Sequence, residues 1–157
     1  MTTLASHYDG LELNSPNDVV VDPSGRLYFT DPPYGRHAGE GALLGVGIPR
    51  EERQPVRGVY RLDPQDGSII RLVDDFEGPN GLCLAEGGAV LFVNDTAKMH
   101  IRRFEVQEDG VSGGEVWAVL KGDEPGVPDG MKVDPFFNID LNKLPTGPAR
   151  GHDMLIN

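Results

Sequence analysis

The feature that most constrains this chain is a phrase that returns in phase. Pro16-Asn17-Asp18, Pro79-Asn80-Gly81 and Pro128-Asp129-Gly130 each lead into a short apolar run, with Asn17, Asn80 and Asp129 spaced 63 and 49 residues apart. Strand-like runs fill the intervals. DVVVD and RLYFT flank a Pro-Ser-Gly turn and read as a hairpin over 18–32, and GVYRL and SIIRLVDDF make a second over 58–76. The pattern restarts with hairpins at 80–95 and 100–122, and DGMKVDP opens a third cycle at 129. Four-strand units recurring at roughly 40–50 residues are the mark of propeller blades. The expected fold is all-β, a partial β-propeller of four-stranded antiparallel blades. It holds two full cycles and the first strand of another. Propellers close with about four blades or more, so the chain is expected to be an internal piece of one.

Composition agrees with many short strands. Gly and Pro together supply 21 and 13 of the 157 residues, which demands frequent turns. Two stretches break the rhythm. Pro33 to Arg57 is rich in Gly, Pro and charge and reads as a long loop, a length usually tied to function or disorder. After Asp134 the alternation stops, so the chain divides into a propeller fragment over 1–134 and a divergent or disordered tail over 135–157.

A formal charge of −11 disfavours nucleic acid as a partner and leaves carboxylates free to gather round a hard cation. No stretch approaches the roughly 20 apolar residues of a membrane helix, and MTTLASHYDG has neither a charged start nor an apolar run of signal length. The single cysteine, Cys83, sits in an apolar strand and reads as a buried inert thiol; a reducing, cytoplasmic setting is expected. The four histidines show no metal spacing.

In a propeller the innermost strand of each blade lines the axis, and residues at its start face the channel mouth. Asn17, Asn80 and Asp129 would then converge on one axial point with three oxygen-bearing side chains, a donor set suited to calcium or magnesium rather than zinc. The alternative is turn chemistry, since Asn and Asp commonly cap turns through their own backbones. Periodicity leaves both readings open.

The phrases LNSPNDVVVDPSGRLYFTDPPYG, GPNGLCL and GVPDGMKVD resemble the SMP-30/gluconolactonase/luciferin-regenerating family over about Tyr8 to Asp134. That resemblance implies a six-bladed propeller with a divalent cation, usually calcium, on its axis, and lactonase or related esterase-like activity on a small lactone or ester. It makes Asn80 and Asp129 metal ligands, Asp129 also the acid/base, and Asn17 a substrate contact or a completing metal ligand. Asp18 and Asp31 belong to the motif and are expected to serve in strand-end hydrogen bonds; Tyr34 could line the pocket. The family's glutamate ligand from the first blade has no counterpart here, and Glu12 stands at the wrong place for it. No Ser-His-Asp set is apparent, which disfavours a serine hydrolase.

Three readings follow. The chain is part of a calcium-dependent lactone hydrolase; or a non-catalytic propeller holding a ligand at the same mouth; or an inactive truncated copy. An open ring would expose apolar blade faces and invite assembly with a chain that supplies the missing blades.

Overall fold

The computed structural model describes residues 2–36, 50–120, 126–134, 139–144 and 153–156, the last two segments as backbone apart from Ile139. A short hairpin, β1 (His7–Tyr8) with β2 (Leu11–Glu12), precedes two four-stranded antiparallel sheets. The first joins β3 (Val19–Val21), β4 (Leu27–Thr30), β5 (Arg57–Leu62) and β6 (Ile69–Phe76) in chain order. The second joins β7 (Pro79–Ala85), β8 (Val90–Asp95), β9 (His100–Val106) and β10 (Val111–Val119) likewise. The inner strands β3, β7 and β11 (Val127–Val133) lie side by side across the sheets. This is the partial propeller read from the sequence. Among the described residues no helix is long and apolar enough to cross a membrane.

The turns form because short polar side chains bond their own backbones. Asp22 Oδ1 accepts from the backbone N–H groups of Ser24 (2.8 Å) and Arg26 (3.1 Å), and Gly25 takes the left-handed φ of 93° that the tight turn needs. Asp63 repeats the device on Gln65 N–H at 2.9 Å.

Strand alternation then sends neighbours to opposite faces. Leu91 and Val93 face the first sheet, packing with Tyr28, Val59, Phe76 and Leu82; Val90 and Phe92 face the third sheet with Cys83, Met131 and Ile139. Each such side chain removed from water contributes about 1.5–3 kcal/mol. The outer face of the first sheet carries Phe29, Tyr60 and Leu62, covered by Leu13, Ala5 and Tyr8. The thiol of Cys83 is buried as expected, and burial pushes its pKa up to about 12.

The third sheet extends further than the sequence suggests. Beyond β11 come β12 (Ile139–Leu144) and β13 (Asp153–Ile156), paired antiparallel in the order β11-β12-β13. Val133 pairs with Ile139 and Val127 with Leu144, so the expected boundary at Asp134 falls inside a sheet. The partner strand supplies what the irregular sequence hides: Ile139 is 1% exposed in the core shared with the second sheet. The rest of the expected tail, and residues 37–49 of the expected long loop, lie outside the described residues.

The inner strands approach closely at one glycine. A Cβ on Gly81 would stand 2.2 Å from the Asp129 carbonyl oxygen, 2.7 Å from Met131 N and 2.8 Å from Asn94 Nδ2. Two of these neighbours are backbone and cannot swing aside. Gly81→Ala is therefore expected to destabilise by about 1–3 kcal/mol. Gly110→Ala, with nothing within 4 Å, should stay within about 0.5 kcal/mol of the parent. Urea denaturation of the two variants checks this; equal midpoints would refute the close packing.

Candidate axial site

Asn17 and Asn80 meet at the start of the inner strands. Asn17 Nδ2 donates to Asn80 Oδ1 at 2.5 Å across the two sheets. Asn80 is 4% exposed and Asn17 is exposed. Asp129, half-buried, is the third residue of the adjacent inner strand β11, and its carbonyl lies against Gly81, the next residue after Asn80. The three candidate donors thus stand at neighbouring strand starts.

Each is held by the end of a second strand. Thr30 Oγ1 donates to the carbonyl of Asn80 at 2.8 Å, and the Thr30 carbonyl accepts from Asn17 N–H at 3.0 Å. In the next sheet Asn94 Nδ2 donates to the carbonyl of Asp129 at 2.6 Å, and Thr96 Oγ1 to that of Pro128 at 2.7 Å. Thr30, Asn94 and Thr96 were missed by sequence reading. The parallel phrases Phe29-Thr30-Asp31 and Val93-Asn94-Asp95 were the available signal.

Asp18 and Asp31 serve in strand-end hydrogen bonds, as expected. Asp18 Oδ1 accepts from Val19 N–H (2.9 Å) and Oδ2 from Leu82 N–H of the next sheet (3.2 Å). Asp31, fully buried, accepts from the N–H groups of Asn14 and Ser15, both at 2.8 Å. Arg36, 3% exposed, ties the same segment by donating to the carbonyls of Leu13 and Asn14, and pairs with Glu12 at 3.2 Å. Glu12 is thereby engaged away from the axis. Tyr34 Oη donates to the carbonyl of Gly78 at 3.1 Å, two residues before Asn80.

The donor set is two amide groups and one carboxylate, hard oxygen ligands of low total charge. It fits a calcium- or magnesium-type ion, whose shell of about six to eight oxygens for calcium needs further donors or water. The buried Asn94 Oδ1 lacks a hydrogen-bond partner, and Asn94 Nδ2 is already bonded to the Asp129 carbonyl. Among the described residues no three His, Cys, Asp or Glu cluster as metal ligands, so the amides are indispensable to such a site. Concavities of about 340 Å³ (Val21, Pro23, Leu84, Val133) and about 490 Å³ (Tyr8, Gly67, Ile69) lie away from these residues.

A G-x-S-x-G match, Gly110-Val111-Ser112-Gly113-Gly114, escaped sequence reading. It opens the outer strand β10 rather than a strand-to-helix elbow, and Ser112 Oγ accepts from Gln107 Nε2 at 2.7 Å on the surface. It offers no nucleophile.

Burial raises the Asp31 pKa to about 6, against the opposing pull of the Asn14 and Ser15 N–H groups and the Arg36 guanidinium. A carboxyl raised in the folded state contributes stability fully below its unfolded value of 3.8 and loses it as pH rises through about 6. The stability difference between the parent and Asp31→Asn should therefore move against the parent by about 2 kcal/mol from pH 4 to 7. Urea titrations across that range test it, and a flat difference would refute the assignment.

Comparison with known proteins identifies the family. The family profile "SMP-30/Gluconolactonase/LRE-like region" matches residues 1–139. A gluconolactonase of Zymomonas mobilis is 30% identical over 146 residues, covering 88% of this chain and 39% of that protein. The solved structure of a gluconolactonase from Xanthomonas campestris superposes with a TM-score of 0.76 at 31% identity, covering 88% of this chain and 44% of that one. Regucalcin of Agrobacterium tumefaciens, a calcium-binding protein, shares the fold at 20% identity with a TM-score of 0.58. The chain spans about two fifths of the length of the gluconolactonases it matches. With its repeated strand-start motifs and its profile match, the chain belongs to the SMP-30/gluconolactonase/LRE-like family.

Proposed function

We propose that this chain carries the central part of a divalent-cation-dependent lactone hydrolase site, with calcium as the cation and a sugar or related lactone as substrate. The observation that carries the reading is the meeting of Asn17 and Asn80 at 2.5 Å beside the strand start of Asp129. Lactone hydrolysis is the activity named for the gluconolactonases among its relatives.

Asn80 and Asp129 would hold the cation, and Asn17 would complete its shell or orient the substrate. A cation bound there supplies Lewis-acid polarisation of the lactone carbonyl. The Asp129 carboxylate takes a proton from the attacking water and returns it to the ring oxygen as the C–O bond breaks, giving the hydroxy acid. The Asn17 amide, exposed at the channel mouth, can donate to a substrate oxygen once a ligand replaces its bond to Asn80.

One observation favours a second reading, a site completed by assembly. Val19 and Val21 are 53% and 56% exposed, whereas the repeat counterparts of Val19, Leu82 and Met131, are 1% and 0% exposed, and those of Val21, Leu84 and Val133, are part-buried, each packed against the preceding sheet. This face is shaped to take a further sheet, from the same chain or another, and turnover is expected to depend on it.

Calorimetric titration of calcium into the purified chain, with Asp129→Ala alongside, tests the site. Micromolar binding lost in the variant, together with acid release from gluconolactone, supports the hydrolase. A folded parent that binds no calcium refutes the cation site in this chain.

A further inference from the structure

The two four-stranded sheets repeat a second device besides the strand-start phrase. Asp31 accepts from the N–H groups of Asn14 and Ser15, three and two residues before Asn17. Asp95 accepts from Glu77 N–H (2.9 Å) and Gly78 N–H (3.0 Å), three and two residues before Asn80. Both aspartates are 0% exposed, as are Thr30 and Asn94 just before them. Those preceding residues reach the other way, to the carbonyl of the next sheet's candidate donor: Thr30 to Asn80 and Asn94 to Asp129.

Ordinary strand capping explains one bond, not this pairing. Each strand end fixes its own sheet's axial residue through the approach segment and the next sheet's axial residue through its backbone. Asp95 adds bonds from Ala97 and Lys98 N–H, both 3.0 Å, so its carboxylate gathers four donors. The residues used are buried and polar where strand packing alone would favour apolar ones. The backbone atoms of Asn17, Asn80 and Asp129 are therefore placed relative to one another by these four side chains.

We infer that Thr30-Asp31 and Asn94-Asp95 are positioning pairs that set the mutual placement of Asn17, Asn80 and Asp129, and through it the cation affinity of the axial site. The affinity clause rests on the function proposed above; the placement clause does not. None of the four is a catalytic residue, since each acts through another.

The test uses the whole chain and two readouts. The first is the side-chain amide ¹H–¹⁵N signals of Asn17 and Asn80, which report their mutual hydrogen bond without any cation. Thr30→Val and Asp95→Asn should displace or broaden these signals while the other resonances of both sheets persist. Thr30→Ser, which keeps the hydroxyl, should restore them, and Ile69→Val, a packing change away from the axis, should leave them unmoved. The second is calcium titration, where Thr30→Val and Asp95→Asn should weaken affinity about tenfold or more and Ile69→Val should not. Amide signals that stay in place in both disrupting variants overturn the inference. Displaced signals in a chain that takes up no calcium uphold the placement and overturn the cation site instead. Should Thr30→Val fail to fold, Asp95→Asn reads the same two quantities independently.

Discussion

Everything in this molecule depends on a sheet with two apolar faces needing a neighbour on each side. Strand alternation in β8 sends Leu91 and Val93 one way and Val90 and Phe92 the other, and both sets are buried. Sheets so constructed can only stack, and stacking about shared inner strands brings strand starts together. The axial cluster is a by-product of that packing. No loop has to fold across the protein to assemble it; successive sheets deliver one polar residue each.

The axis itself is costly in a different way. Side chains at the strand starts are polar, partly buried and crowded, and backbone carbonyls there lie beside one another. The crowding is resolved by replacing a side chain with hydrogen at Gly81 and by pointing hydroxyl and amide donors at the carbonyls of Asn80 and Asp129. Asp18 stands where the second sheet has Gly81, and its carboxylate reaches Leu82 N–H on the next strand. The two inner-strand junctions thus solve one spacing problem with opposite chemistry: a carboxylate bridge at the first, a bare backbone at the second.

Much of this was legible. The phase of Asn17, Asn80 and Asp129 fixed the strand starts, and the hairpins at 58–76 and 80–95 agree closely with β5–β6 and β7–β8. What escaped was decided by partners. Ile139–Leu144 reads as irregular until Val127–Val133 lies beside it to offer a ladder. Thr30 and Asn94 looked like ordinary strand residues, because their bonds run to the backbone of the following sheet, 50 and 35 residues away. Such bonds leave no local pattern. The shared Asp that follows each was visible, but only geometry reveals that both carboxylates receive the approach segment. A match to G-x-S-x-G was present and carried no chemistry, since its turn is a hairpin at a sheet edge.

The hydrogen bond between Asn17 and Asn80 joins side chains from separate sheets, so the axis works as a brace as well as a pocket. A ligand gripping both amides would be bonded to two layers at once and would resist any rotation of one against the other. Occupancy would then be linked to cohesion: binding only to the stacked arrangement adds RT ln(1 + [L]/Kd) to its stability. Heat resistance in such an architecture becomes a function of what the axis holds, and not of the apolar layers alone.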